Sequence, residues 1–407
     1  MKPSRRVILA ILSAAAIIAY LPTLAQPFLE DDYPNLALAI QFTSSWRQVL
    51  SNPAFRLRAT SEFLTAALYS AFDVNAPAYY AAGILLHVIN TLLVFSLGKW
   101  PRIGYGVSAW AALFFAVAEG HQEAVMWVSA VNELLQFSFG LAALVVWIWF
   151  LETARKRWLA ASIASFALAL VSKESAPIFL ALMALPLIDH RKKAAWLAPH
   201  AALATAAVVS VLTASDSFRF RDGSFSLHAP FWLTWPHSFF SVLWFWGCAA
   251  LVVLVVLRKY EIIWIALAWT GIGLIPYSFL TYSTRVPSRQ TYLASVGAAL
   301  LVGSALCILS RTRRRALAAL VAILMVYNIG YLWTRKRSQF LKRAEPTEQL
   351  IALSERVKGP IYMQCFPRPR VVAEQAVWLM TERPPSDLIW DPRDAPHAAA
   401  TFCYKDR

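Results

Sequence analysis

Three adjacent carboxylates, Glu30-Asp31-Asp32, follow the first apolar stretch of this chain, within Phe28-Leu29-Glu30-Asp31-Asp32-Tyr33. Neighbouring carboxylates repel one another, which raises the pKa of at least one and suits it to accept a proton or to hold a cation. The same trio also suits a solvated acidic cap outside an apolar segment. A second polar group is Glu119-Gly120-His121-Gln122-Glu123, followed by Asn132 and Glu133. On a helix Glu119 and Glu123 share a face. His121 and Glu123 would orient a substrate through hydrogen bonds, or form a polar cap on a span. The third group, Ser172-Lys173-Glu174-Ser175, reads as an ion pair at a membrane edge or as part of a site. The fourth runs from Tyr282 to Tyr292 and carries Arg285 and Arg289. A planar guanidinium grips phosphate or carboxylate through two parallel hydrogen bonds. No P-loop, GxSxG or HExxH pattern occurs, so phosphoryl transfer from ATP, serine hydrolysis and zinc proteolysis lack support.

These groups lie between apolar segments. Of the 407 residues, 58% are hydrophobic and 15% charged, and the mean hydropathy is +0.51. Soluble domains carry about 25% charged residues, so the composition excludes a disordered chain and points to a polytopic membrane protein. Apolar segments fall at 7–24, 76–98, 105–118, 132–151, 158–172, 175–190, 194–213, 237–257, 261–278, 290–309 and 316–334. They predict about 11 transmembrane helices, with an interfacial or re-entrant helix over 61–72.

The net charge of +15 is spread by topology. The pieces at Met1–Arg6, Lys99–Arg102, Glu152–Arg157, Asp189–Lys193, Arg258–Glu261 and Arg311–Arg315 hold 17 Lys and Arg against three carboxylates. The intervening loops hold eight basic residues against 11 acidic. Cytoplasmic loops carry such a basic excess. The N-terminus is therefore expected in the cytoplasm, the first apolar segment is read as a retained anchor, and no nucleic-acid partner is expected. The four polar groups then all face outward. Arg285 and Arg289 sit there against the charge gradient, which an anionic ligand such as a lipid phosphate would explain.

An odd number of spans places the tail outside. The sequence predicts a transmembrane module over 1–334, with a first outward loop at about 25–75, and a small α/β domain over 335–407. In that domain it predicts a helix from Pro346 to Lys358, a strand from Ile361 to Cys365 and a helix from Val371 to Glu382. Cys365 and Cys403 fall in this tail, where oxidising conditions permit a disulfide. Cys248 and Cys307 lie in apolar spans.

At these same residues the chain resembles the GT-C superfamily of polytopic glycosyltransferases, in particular the bacterial relatives of the transmembrane and tetratricopeptide-repeat O-mannosyltransferases. Asp31-Asp32 resembles the family's paired acids. Phe55-Arg56 resembles its arginine-containing loop, and Leu86-His87-Val88-Ile89-Asn90-Thr91-Leu92 its second span. His121, Glu123-Ala124-Val125, Trp127-Val128-Ser129 and Leu134-Leu135 resemble one long motif. Ser172-Lys173-Glu174-Ser175 resembles the family's "AKES" turn, and Arg289, Tyr292-Leu293 and Ser295-Val296-Gly297 its last motif. Positions at which the family has other residues are Ala118, Glu119, Val131, Glu133, Ser288 and Ala294, and the tetratricopeptide repeats are absent.

The resemblance implies an inverting glycosyltransferase of the bacterial inner membrane. It would move a sugar from a polyprenyl-phosphate donor to a hydroxyl of a protein or glycan. Asp31 or Asp32, both expected in a loop facing water, would be the base. Arg289, Arg285 and Lys173 would bind the donor phosphate; His121, Glu123, Arg56 and Glu174 would orient the substrates. An oxygen-ligated Mg²⁺ or Mn²⁺ between Asp31 and Glu123 is a further use of those carboxylates. Two alternatives stay open: a transporter or flippase of a lipid-linked anion, and an inactive scaffold with the same fold.

Overall fold

The structure is a computed structural model, described for residues 4–51, 57–213 and 223–405. Its helices begin with α1 (Arg5–Tyr20), capped where Ser4 Oγ accepts Val7 N–H. α2 (Asp32–Ser51) and α3 (Ala59–Phe72) make up the first long loop. The bundle continues with α4 (Ala76–Ser96), α5 (Gly104–Val117), α6 (Val131–Thr153) and α7 (Lys156–Leu170). It closes with α8 (Phe179–Ala184), α9 (Ala198–Thr213), α10 (Phe231–Val256), α11 (Tyr260–Leu274), α12 (Ser295–Thr312) and α13 (Arg314–Tyr331).

All eleven expected apolar segments are largely helical, but they are not equal. Among the described residues, eight helices are long and apolar enough to cross a membrane. The segments Gly104–Val117 and Ala176–Ile188 are apolar but shorter, and α7 has 15 residues. At 1.5 Å per residue these span roughly 20–23 Å, short of an apolar layer about 30 Å thick. The expected interfacial helix at 61–72 is α3, which is not among the candidate spans.

Close approach of helices rests on small residues. A Cβ on Gly303 of α12 would stand 2.5 Å from Ala111 N of α5. Trp100, Trp147 and Trp269 are buried in the same core. The basic loops gather at one end of the bundle. Arg102 pairs there with Asp189 and Glu261, Trp100 Nε1 donates to Asp189, and His190 lies 3.3 Å from Glu152.

α13 runs through a π-helical turn, Leu332–Lys336, into α14 (Arg337–Arg356). The expected domain boundary at 334/335 falls in this turn. The sequence predicts a helix start at Pro346, since proline suits a first helical turn; instead α14 carries Pro346 inside it. β1 (Ile361–Cys365) leads to α15 (Arg370–Thr381), then β2 (Leu388–Ile389) and β3 (Ala400–Cys403). The strands form a parallel sheet in the order β2-β1-β3. Cys365 and Cys403 are joined in a disulfide across β1 and β3, with Cα atoms 4.5 Å apart.

This C-terminal domain does not stand apart. Ile351, Val372 and Ala376 share one buried cluster with Phe28, Tyr33 and Leu36 of the first loop and with Tyr79 and Tyr80 of α4. Tyr33 Oη donates to Glu348 of α14 at 3.3 Å.

Candidate active site

The Glu30–Asp32 segment enters α2, and each of its three carboxylates has a different environment. Asp32 is fully buried. One of its oxygens accepts Leu29 N–H at 2.8 Å; the other accepts Ser129 N–H at 2.7 Å and Ser129 Oγ at 2.5 Å. Burial pushes its carboxyl up to about 7, against the pull of those hydrogen bonds. The expectation that Asp31 and Asp32 both face water is thus corrected for Asp32. Its side chain turns inward because the turn carrying Ser129 supplies two donors.

Asp31 is exposed. The protein hemming it in, and then Glu30, push its carboxyl above the ordinary range, while Arg289, Arg343 and Arg368 pull it back. Glu30 is held by guanidinium groups of the C-terminal domain, Arg343 at 2.8 Å and Arg368 at 2.7 Å.

The segment between α5 and α6 ties these groups together. Glu119–His121 and Gln122–Val125 are two short helical turns, and Val128–Ala130 is a third. Glu123 accepts Arg289 N–H at 3.3 Å and lies 3.7 Å from its guanidinium. Gln122 Nε2 donates to Ser288 Oγ at 3.0 Å. The Trp127 ring receives Arg289 Cζ at 4.7 Å and Arg343 Cζ at 4.6 Å, each a cation–π distance. The structure places Glu123 against Arg289, sets Asp31 within the electrostatic reach of Arg289, and adds Glu30, Trp127, Arg343 and Arg368 to the group.

His121 is buried rather than open to substrate. Its Nε2 lies 2.7 Å from Ser295 Oγ, whose own hydroxyl donates to Tyr292 O, so the imidazole is the donor of that pair. Burial first, then His87, hold its pKa well below the usual value. His87 Nδ1 lies 2.7 Å from Tyr292 Oη and its Nε2 3.0 Å from Ala116 O. This buried network fixes the turn that bears Arg289.

Lys173 is also buried and forms an ion pair with Glu133, which accepts Tyr277 Oη at 3.0 Å. Ser175 bridges Tyr277 and Gln136. Glu174 pairs with Arg58 at 3.0 Å, next to Thr60–Ser172 at 2.7 Å. The AKES-like turn thus fastens α3 to the bundle. Arg285 stands exposed. Arg56 lies outside the described residues.

The carboxylates beside Asp31 are engaged by arginines rather than gathered as a set of oxygen ligands for a divalent cation. Glu30 is taken by two guanidinium groups and Glu123 by one, and no cluster of three or more His, Cys, Asp or Glu occurs among the described residues.

Arg343 and Arg368 were not singled out from the sequence. The argument that singles out Arg289 does not reach them, because the tail after Thr334 holds 13 Lys and Arg against nine carboxylates and neither stands out. Nothing in the sequence brings the tail to Glu30.

No family model matches the chain. A stretch of 154 residues, 34% of the chain, is 28% identical to 22% of Protein O-mannosyl-transferase F38B6.6 of Caenorhabditis elegans. Over 95% of its length the chain is similar to the oligosaccharyltransferase AglB of Archaeoglobus fulgidus in complex with an inhibitory peptide and a dolichol-phosphate, with TM-score 0.57 and 10% identity. That match covers 65% of the archaeal chain, just under two thirds. ArnT from Cupriavidus metallidurans bound to undecaprenyl phosphate is similar over 96% of this chain and 91% of its own, with TM-score 0.57 and 10% identity. The chain has the GT-C fold, a membrane bundle with a small parallel sheet.

Proposed function

We propose that this chain is an inverting membrane glycosyltransferase that moves a sugar from a polyprenyl-phosphate donor to an acceptor hydroxyl on the outer face of the membrane. The observation that carries this reading is an exposed carboxylate, Asp31, in the field of Arg289 at the end of the bundle opposite the basic loops. The relatives and neighbours are an O-mannosyltransferase and two GT-C enzymes, two of them in complex with a polyprenyl-type phosphate.

The acceptor oxygen attacks the anomeric carbon and its proton passes to Asp31. The bond from that carbon to the phosphate oxygen breaks, and the polyprenyl phosphate leaves with the electron pair. Arg289 stabilises the charge growing on the phosphate, a preorganised electrostatic role. Asp32 positions Asp31 by locking the turn to Ser129. Glu123 positions Arg289, and the His87–Tyr292–Ser295–His121 network positions both turns. Lys173 and Glu174 brace α3 and the bundle. The N-terminus and basic loops lie in the cytoplasm, and the C-terminal domain lies outside. A bacterial inner membrane fits this reading, and a protein or a glycan supplies the acceptor hydroxyl.

The test is transfer of radiolabelled sugar from polyprenyl-phosphate donors by membranes carrying the protein. Asp31→Asn should lower transfer by at least ~100-fold, the lower range of what a positioned base supplies. Full activity in Asp31→Asn would remove the base assignment. Movement of the intact donor across vesicles without transfer would favour a flippase.

A further inference from the structure

We propose that Arg343 and Arg368 are the C-terminal domain's half of the site that holds the leaving phosphate, and that Glu30 is an internal anion competing with that phosphate for them. This rests on the glycosyltransferase reading above and extends it to residues that no resemblance assigns.

Four observations carry it. First, Glu30 is held from two sides: Arg343 Nε and Nη2 meet its two oxygens at 3.2 and 2.8 Å, and Arg368 meets it at 2.7 Å. Two guanidinium groups converging on one carboxylate are equally arranged for a phosphate, whose oxygens accept the same forked pairs. Second, Arg343 shares the Trp127 ring with Arg289. The cation assigned to the phosphate and the cation from the tail therefore touch one indole.

Third, the donors outnumber the acceptors. Arg368 Nε is buried without a hydrogen-bond partner among the described residues, although its guanidinium is paired. An arginine presents five N–H donors, more than one shared carboxylate can satisfy. Fourth, Glu30 reaches this position with φ at +34°, a left-handed conformation that a residue with a Cβ adopts at a cost. Such strain persists where surrounding contacts enforce it, and the paired arginines are those contacts.

Glu30 therefore has the property of a placeholder. It neutralises two cations that a bare anion site would leave repelling one another, and it can surrender them. A phosphate brings more charge and more acceptor oxygens to the same donors. Removing the negative charge of Glu30 should then strengthen phosphate binding, whereas a purely structural bridge would weaken it.

The experiment measures binding of a radiolabelled polyprenyl monophosphate to the purified full-length protein in detergent, with unphosphorylated polyprenol as control. Loss of a charge-assisted hydrogen bond predicts roughly tenfold weaker binding for Arg343→Gln and for Arg368→Gln. Arg343→Lys should fall between Gln and wild type, and Glu30→Gln should bind about threefold tighter or better. Polyprenol should not distinguish the variants. Thermal unfolding of each variant guards against loss of fold, and Arg343→Lys keeps the charge if Arg343→Gln is unstable. Wild-type affinity in both Arg→Gln variants overturns the proposal, as does weakened binding in a folded Glu30→Gln protein or a matching change with polyprenol. If wild type binds and Arg289→Ala alone weakens binding, the functional reading stands and this proposal falls. If wild type does not bind polyprenyl monophosphate, both fall.

Discussion

Asp31 and Asp32 are neighbours in sequence, yet asparagine should affect them in different ways. Both oxygens of Asp32 accept backbone N–H groups. An amide offers one acceptor and sets its NH2 against an N–H, so Asp32→Asn should lower thermal stability by about 1–3 kcal/mol together with activity. Asp31 is exposed, so Asp31→Asn should leave the unfolding midpoint in place while transfer falls. A thermal scan beside the transfer assay separates the two; equal midpoint shifts would contradict these roles. The pH profile gives an independent check. The base acts as a carboxylate, so transfer rises as pH climbs through the Asp31 pKa. Because the protein displaces water from part of the Asp31 surroundings and Glu30 repels its charge, that pKa is raised and the acid limb lies above the usual aspartate value of about 4. Arg343 pulls the pKa down, so Arg343→Gln should move the limb to higher pH. That the paired acids are candidates for a base was legible in the sequence. Which of them is buried was not, because Ser129 lies 97 positions away.

At the scale of elements, the segment between α5 and α6 does the assembling. Its turns present Glu123 to Arg289, Trp127 to two arginines and Ser129 to Asp32. α12 begins just after Arg289 and packs on α5 through Gly303. Gly303→Ala would place a methyl 2.5 Å from Ala111 N. It should cost about 1–3 kcal/mol through overpacking, and lower transfer as the Arg289 turn shifts. Unchanged stability and transfer would show that the two helices yield without moving the site. In the tail, Cys365 ends β1 three residues before Arg368. The disulfide closes a loop of sequence separation 38, which constrains the unfolded chain by about 4 kcal/mol in the chain-entropy model. Non-reducing mass spectrometry should recover the two cysteine peptides linked, and replacing both by serine should make the tail markedly more sensitive to protease. The helices and β1 were legible from apolar runs and β-branched or aromatic residues. The continuous α13–α14 helix was not, since Pro346 reads locally as a start.

The whole molecule has two ends of different chemistry. The loops expected in the cytoplasm meet through Arg102, Asp189 and Glu261, and the acid–arginine site forms at the far end. Reporter fusions at Arg157 and Arg313 should read cytoplasmic, and one at Lys358 should read outside. A cytoplasmic signal at Lys358 would overturn the topology and put Arg343 and Arg368 on the wrong side for an outward donor site.

What the sequence by itself determined is what depends on local pattern. Apolar length and the placement of Lys and Arg set the membrane class and the expected orientation, because every loop carries its own charge signal. Residue type and order made Asp31, Glu123 and Arg289 candidates, and the resemblance joined them into one expected site. The tertiary structure decided what depends on contact between distant segments. It buried Asp32 and His121, and it sealed Lys173 against Glu133, because helices from separate parts of the chain close over them. It also brought Arg343 and Arg368 to Glu30, across 313 and 338 residues of chain, because the C-terminal domain buries apolar surface against Phe28, Tyr33 and Leu36. That docking is a matter of shape and shared burial, which no stretch of sequence states by itself.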